Sequence, residues 1–362
     1  MKILIGLNDI FGYGGVERTV SLTANYFINK LNYDIEIINF FNKNNELNFD
    51  LSSKINIYNL KGNNYHNKIK KYYYKFKNLE KIILNNDYDV VLGCSVVINL
   101  LFYLVKLKNM FKLEKLNILA WEHSQYSNIN KKLKIIRRIL YPKLEGVITL
   151  TQKDKEKFSN FCNNTKVIHN INPYIDNTRR SKLKNNRIIA VGRLEKEKSF
   201  DKLIKSFNLI NNKNENWELD IFGKGREISK LKKLINNLDL KDKVNLKGFS
   251  NNIEKEYLKS SIFVLSSQTE SFGMVIVEAM SFGIPCVSFD CETGPREIIT
   301  DGVDGYLVEL NNIEELSKKI LVLINNYELR REMGKAAFKK SKLFSKKSIL
   351  NKWKYYLEKI SE

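Results

Sequence analysis

Two glutamates, Glu270 and Glu278, stand eight positions apart in a stretch that changes character between them. Residues 262–265 form an unbroken apolar run, read as a buried strand. Residues 266–271 are polar, and a helical apolar period follows. One continuous helix would put the two carboxylates about 12 Å apart. The expected arrangement instead leaves Glu270 in the loop and sets Glu278 about one turn inside the helix. The amides of Phe272, Gly273, Met274 and Val275 are then donors at a helix N-terminus, a ready anion site. A carboxylate on each side of an anion site suits a ligand with hydroxyls at both ends and phosphate between them. A nucleotide sugar has that form. Spacing alone equally allows Glu270 to be an ordinary first-turn charge and Glu278 a surface residue.

Other residues carry chemistry of the same kind. Arg193 at the end of an expected strand (residues 187–192) and Lys198 at the following helix start can converge on one anion. The first offers a bidentate fork and the second a point charge, a pair suited to a diphosphate. The loop 9–15, with Gly12, Gly14 and Gly15, separates a strand (3–7) from a helix and lets backbone approach a phosphate or sugar closely. It fails as a dinucleotide fingerprint, because Glu17 holds the third glycine position. His123 lies just past an expected strand (117–120), where open parallel sheets bind ligands. His66 and His169 lack such a context. Asp87-Tyr88-Asp89 spells a D-x-D metal pattern but directly precedes a strand and reads as a turn. No convincing metal cluster stands out.

These residues need strands to end beside helix starts, and the chain supplies them. Apolar strands are expected at 3–7, 35–40, 89–93, 117–120, 146–150, 167–168, 187–192, 217–223, 244–249 and 262–265, with helical patterns between most of them and across 312–360. Alternating strand and helix is an α/β pattern with parallel sheets. Two domains fit 362 residues. A run with Pro173, several Asn and many charges (171–186) is the linker candidate. The 43% hydrophobic and 28% charged content excludes a disordered chain. The formal net charge of +21 attracts anionic partners: nucleic acid, acidic membrane or phosphorylated substrate. Two basic stretches stand out, 68–77 with interleaved aromatics and 131–140 with an amphipathic period. Either can be a solvated lysine face, an RNA contact or a contact with an anionic bilayer. Four cysteines without a C-x-x-C pair read as reduced thiols. The start reads as a strand and not as a leader, and the apolar segment 90–105 is too short for a membrane span.

The stretch from Glu270 to Glu278 resembles the E-x7-E motif of retaining glycosyltransferases with the two-domain GT-B fold, in particular family 4. Residues 281–290, Thr293-Gly294-Pro295-Arg296-Glu297 and 301–308 are similar to the same family. So are Gly14-Gly15-Val16-Glu17-Arg18, Glu122-His123-Ser124 and Gly192-Arg193-Leu194 with Lys198, although Ser199 replaces a usual glycine. The resemblance implies two Rossmann-like domains facing a cleft: 1–175 on the acceptor side, 186–343 binding the nucleotide sugar, and 344–362 a helix crossing back to the first. It further implies a UDP-hexose or UDP-N-acetylhexosamine donor, a saccharide or lipid-linked saccharide acceptor, and no cofactor or metal. Glu278 would bind the ribose, Arg193, Lys198 and the helix amides the diphosphate, and Glu270 and His123 the hexose. The expected location is cytoplasmic, peripheral on the inner membrane face. Two alternatives stay open: a UDP-sugar epimerase of the same fold, and a basic nucleic-acid-binding protein, although no recognition motif for the latter is present.

Overall fold

The computed structural model describes residues 1–41, 46–60, 67–174, 178–212 and 214–361. It divides into two compact units, Met1–Ile171 with Lys347–Glu362, and Asn172–Lys346. His66 and residues 175–177 of the linker candidate lie outside the described residues.

Among the described residues, the first unit holds seven parallel strands: β1 (Lys2–Leu7), β2 (Asp34–Asn39), β3 (Asn56–Asn59), β4 (Val90–Gly93), β5 (Asn117–Trp121), β6 (Gly146–Thr149) and β7 (Thr165–Val167). Their order is β3-β2-β1-β4-β5-β6-β7. The sheet is covered on both faces, so its strands read as continuous apolar runs. Side chains still alternate: Ile3, Ile5 and Leu7 enter one core, and Leu4 enters the other. The edge strand β3, half-exposed and polar, carries no apolar run and gives no strand signal in the sequence.

Helix Lys346–Ser361 lays Ile349, Leu350, Trp353, Tyr356 and Leu357 into the first unit's core, the spacing of one helical stripe. Trp353 sits edge-on to Phe27 at 5.3 Å and to Trp121 at 4.9 Å. Truncating a side chain packed this way costs about 3–5 kcal/mol.

The second unit holds six parallel strands among the described residues: β8 (Arg187–Val191), β9 (Glu218–Phe222), β10 (Val244–Gly248), β11 (Ile262–Leu265), β12 (Cys286–Phe289) and β13 (Gly305–Val308). Their order is β10-β9-β8-β11-β12-β13. β8 continues outward to β9 on one side, and β11 outward to β12 on the other. The order therefore reverses between β8 and β11, the kind of switch point beyond whose carboxyl ends open α/β sheets bind ligands. Asn172 ties the start of this unit to helix Met274–Ser281: its side-chain amide donates to the Val277 carbonyl at 3.4 Å and to the Ser281 hydroxyl.

Candidate functional site

The second unit's switch point gathers most of the expected residues. The chain leaves β8 into Arg193 and the short 3-10 turn Lys196–Lys198. It leaves β11 into the polar loop that carries Glu270. The two loops are sewn together: the Gln268 backbone N–H donates to the Glu197 carbonyl at 2.8 Å, and the Ser266 hydroxyl to the Lys198 carbonyl at 2.8 Å. Lys198 and Glu270 consequently meet, Nζ to Oε1 at 2.6 Å, both largely buried. The Ser267 hydroxyl donates to the same oxygen at 2.7 Å.

Arg193 does not share that cluster. Its side chain is 67% exposed and pairs with Glu197 at 3.0 Å. The two cations therefore each hold a carboxylate, a feature invisible in the sequence. Ser199 takes a left-handed conformation, φ 46° and ψ 42°, between the 3-10 turn and helix Phe200–Asn211. The turn's geometry is the one a glycine favours, and serine adopts it at some strain.

Helix Met274–Ser281 starts at Gly273, which caps it at φ 95° without a side-chain bond. Glycine suits that position because an L side chain is strained there. The first two amides of the helix, those of Met274 and Val275, have no intrahelical acceptor by helix geometry. Phe272 contributes backbone only, since its ring is buried edge-on against Phe344 at 5.6 Å. Glu270 stays in the loop, and Glu278 is the fifth residue of the helix. Glu278 is not a surface residue: it is 2% exposed and accepts from the Tyr257 hydroxyl at 3.2 Å. Tyr257, itself buried, stacks on Phe282 at 5.3 Å.

A third segment closes over the glutamate loop. The Thr293 hydroxyl donates to the Glu270 carbonyl at 2.5 Å. Gly294, at φ 91°, lies so near that an added Cβ would sit 2.5 Å from the Phe272 carbonyl oxygen. Arg296 holds Asp290 through two bonds, 2.9 and 2.6 Å. Cys291 donates to the Ser267 carbonyl at 3.0 Å, and burial pushes its thiol up to about 12, so it is no nucleophile. Ser267, Thr293 and Tyr257 were not among the expected site residues. Ser267 sits three places before Glu270, the one local signal that could have marked it.

The remaining expected residues lie in the first unit. Gly14 caps helix Gly15–Leu31 in an extended conformation, and the Glu17 carboxylate folds back over it. Gly15 has open space where a side chain would be. His123 follows β5, with its ring 4.5 Å from that of Trp121. Burial lowers its pKa to about 3, so it is neutral at pH 7. Its neighbour Glu122 is buried and paired with Arg137 at 2.6 Å. The Tyr141 hydroxyl also donates to Glu122. Helix Lys131–Leu140 thus anchors the His123 loop through Arg137.

That finding corrects part of the charge reading. Arg137 is fully buried, against the Phe158 ring at 5.1 Å. Lys75 is also fully buried and donates to the Phe40 carbonyl, and burial lowers its pKa to about 8. Each basic stretch therefore places one of its cations in the protein and not in solvent. Asp89 of the D-x-D pattern accepts the Lys2 amide at 2.6 Å, a structural tie. Phe249 is 51% exposed, with Lys224 Nζ 6.0 Å from its ring.

Comparison with known proteins places this arrangement. The family model described as "Glycosyl transferases group 1" matches residues 174–340. An uncharacterized glycosyltransferase of Haemophilus influenzae is 32% identical over 98% of this chain and 99% of its own. A Campylobacter jejuni enzyme is 25% identical over 94% of each chain; its name describes an alpha-1,4-N-acetyl-D-galactosaminyltransferase acting on GalNAc-alpha-(1->4)-GalNAc-alpha-(1->3)-diNAcBac-PP-undecaprenol. Among solved structures, a mutant of S. aureus TarM in complex with fondaparinux, alpha-GlcNAc-glycerol and UDP covers 98% of this chain and 99% of its own, with TM-score 0.79 and 18% identity. That last likeness is one of fold.

Proposed function

Because this chain belongs to the glycosyl transferases group 1 family, we propose that it moves a hexose or N-acetylhexosamine from a UDP-sugar to a saccharide acceptor, with retention at the anomeric carbon. It is a glycosyltransferase of the GT-B fold. We assign the nucleotide to the second unit and the acceptor to the first. The acceptor is a saccharide of cell-surface glycan synthesis, lipid-linked and presented on the inner face of the cytoplasmic membrane. The Campylobacter relative's acceptor supports that reading, and UDP in the TarM complex supports the nucleotide.

One observation carries the donor site: Lys198, Glu270 and Ser267 converge at the β8/β11 switch point, in the loop that runs into the Gly273-capped helix bearing Glu278. In this reading Glu278 accepts hydrogen bonds from the ribose hydroxyls. Arg193, Lys198 and the amides of Met274 and Val275 hold the diphosphate. As the bond to the anomeric carbon breaks, negative charge collects on the leaving phosphate. Fixed cations and amides then stabilise the transition state more than the ground state. Glu270 orients hexose hydroxyls and is not assigned as nucleophile. The acceptor hydroxyl attacks from the leaving group's face and its proton passes to the departing phosphate, so no protein base is invoked. His123, Gly14 and Gly15 are assigned to the donor sugar and phosphates on the resemblance.

Thermal stabilisation by nucleotides tests the reading. UDP should raise the melting temperature where GDP and ADP do not, and Arg193→Ala should abolish the rise. Absence of any shift at saturating nucleotide would remove the donor site. Transfer should also survive EDTA; loss on chelation with rescue by Mn²⁺ would overturn the metal-free mechanism.

A further inference from the structure

Three helices of the first unit, Lys68–Leu84, Val96–Lys108 and Lys131–Leu140, lie side by side over one face of its sheet. The middle one is fixed between the others by named contacts. Lys108 Nζ reaches Glu80 of the first helix at 2.7 Å. Lys143, just past the third helix, holds its Nζ 5.8 Å from the Tyr103 ring. Residues 68–84, 96–116 and 131–143 together carry sixteen Lys and Arg against two Glu. One of those two, Glu80, is held down to about pH 2 by hydrogen bonds from Asn109 and Lys108. It stays charged and is spent on local pairing.

A solvated lysine face would be polar between its cations, and this one is not. On the first helix Ile69 is 82% exposed and Tyr73 56%. In the last turn of the middle helix Leu107 is 55% exposed, and just past it Phe111 is 95% exposed. On the third, Ile135 and Ile139 are 61% and 62% exposed, one turn apart and flanked by exposed Lys131, Lys132 and Arg138. Large apolar side chains repeated across three adjacent elements mark an interaction face.

We propose that this helix layer docks on an anionic lipid bilayer, with the apolar side chains in the boundary between headgroups and acyl chains and the lysines at lipid phosphates. Charge of one sign calls for an anionic partner. The aliphatic residues decide which: isoleucine and leucine gain nothing from a phosphodiester backbone and cannot stack on bases as flat rings do. They do gain from acyl chains, in the manner of interfacial amphipathic helices. Each surface cation adds attraction at an anionic leaflet, so the two sets reinforce each other. The inference deepens the lipid-linked acceptor reading above and rests on it for its purpose. It reaches past the two basic stretches visible in the sequence, because Leu107 and Phe111 belong to neither.

Co-sedimentation with vesicles tests it without using catalysis. The intact protein should pellet with mixed phosphatidylcholine–phosphatidylglycerol vesicles and not with phosphatidylcholine alone. Two double variants, Leu107→Glu with Phe111→Glu and Ile135→Glu with Ile139→Glu, should each lower the bound fraction about tenfold. All four positions are exposed, so melting temperature and UDP stabilisation should stay at the unaltered values. Equal pelleting with neutral vesicles, or either double variant pelleting like the unaltered protein, would overturn the proposal. So would displacement of the bound vesicles by duplex DNA in proportion to charge alone. A missing UDP shift in every variant would fault the donor site and leave the docking result standing.

Discussion

Lys198 Nζ and Glu270 Oε1 stand 2.6 Å apart, and Ser267 donates to that same carboxylate oxygen. A cation assigned to the donor's phosphates is thus already held by the carboxylate assigned to its hexose. Phosphate binding by Lys198 would compete with Glu270 and free that oxygen for a sugar hydroxyl, while Ser267 keeps the carboxylate in place. Lys198→Ala should lower kcat/KM for the UDP-sugar by about 10²–10³-fold, as loss of one transition-state donor does. Glu270→Gln should lower kcat/KM with the sugar donor yet leave UDP affinity nearly unchanged. Steady-state kinetics beside UDP titration separate the two; equal loss of UDP affinity in both variants would contradict the division of roles.

Glu278 and Tyr257 form a second buried pair, at 3.2 Å. A ribose ligand at Glu278 predicts a specific pattern. Glu278→Gln should weaken UDP about tenfold or more but leave the weaker binding of a dideoxyribose analogue unchanged, because the lost bonds go to hydroxyls. Tyr257→Phe should move UDP affinity in the same direction by less, about 1 kcal/mol for one hydrogen bond. Calorimetric titration reads both. Parallel losses with both nucleotides would place Glu278 outside the ribose site.

Ser199 occupies a left-handed turn at φ 46°, and its hydroxyl gains one bond to the Lys196 carbonyl at 3.3 Å. Ser199→Gly should relieve about 1 kcal/mol of backbone strain, offset in part by the looser unfolded chain and the lost bond. The expected result is a small rise in melting temperature with donor kinetics unchanged. A fall in melting temperature would show that the hydroxyl outweighs the strain.

Gly294 is the opposite case. An added methyl would meet the Phe272 carbonyl oxygen at 2.5 Å and the Glu270 Cβ at 3.2 Å, at a φ of 91°. Backbone cannot yield as a side-chain end can. Gly294→Ala should destabilise the protein by about 2 kcal/mol or more and abolish the UDP shift, because the glutamate loop must move. Retention of full UDP stabilisation would mean that the loop tolerates displacement.

His123 is held neutral, its pKa lowered to about 3 by burial. Its folded value lies below the unfolded value of about 6.5, so the unfolded chain binds the proton first as pH falls. The contribution to stability is whole above that unfolded value and is lost progressively as pH falls toward the folded one. The half-buried ring keeps some solvent, so the loss should be about 1 kcal/mol per pH unit, under the single-proton limit. His123→Phe should keep packing with Trp121 and flatten the curve; denaturant unfolding of both proteins across that range measures the difference. Parallel curves would show that His123 titrates normally.

Most strands were readable in the chain, because a doubly covered parallel sheet demands continuous apolar runs, and β11 is such a run. β3 was not, since a half-exposed edge strand needs no apolar side chains. The glutamate pair was legible in the same way, a strand-to-helix turn being a local event of a few residues. The burial of Arg137 is not legible in the sequence, because an amphipathic period identifies a face but not what the opposite face meets. Buried Glu122 is what it meets.

The sequence by itself determined the α/β class and the turn carrying Glu270 and Glu278, since periodicity, glycines and polar breaks act over short range. Only the tertiary structure decided that Lys198 reaches Glu270 across 72 positions of chain, that Gly294 lies on Phe272, and that Arg193 turns instead to Glu197. The first two depend on strand order in the sheet, which brings β8 beside β11 and β11 beside β12. Strand order is set by the packing of whole layers and leaves no mark on the residues that come to meet.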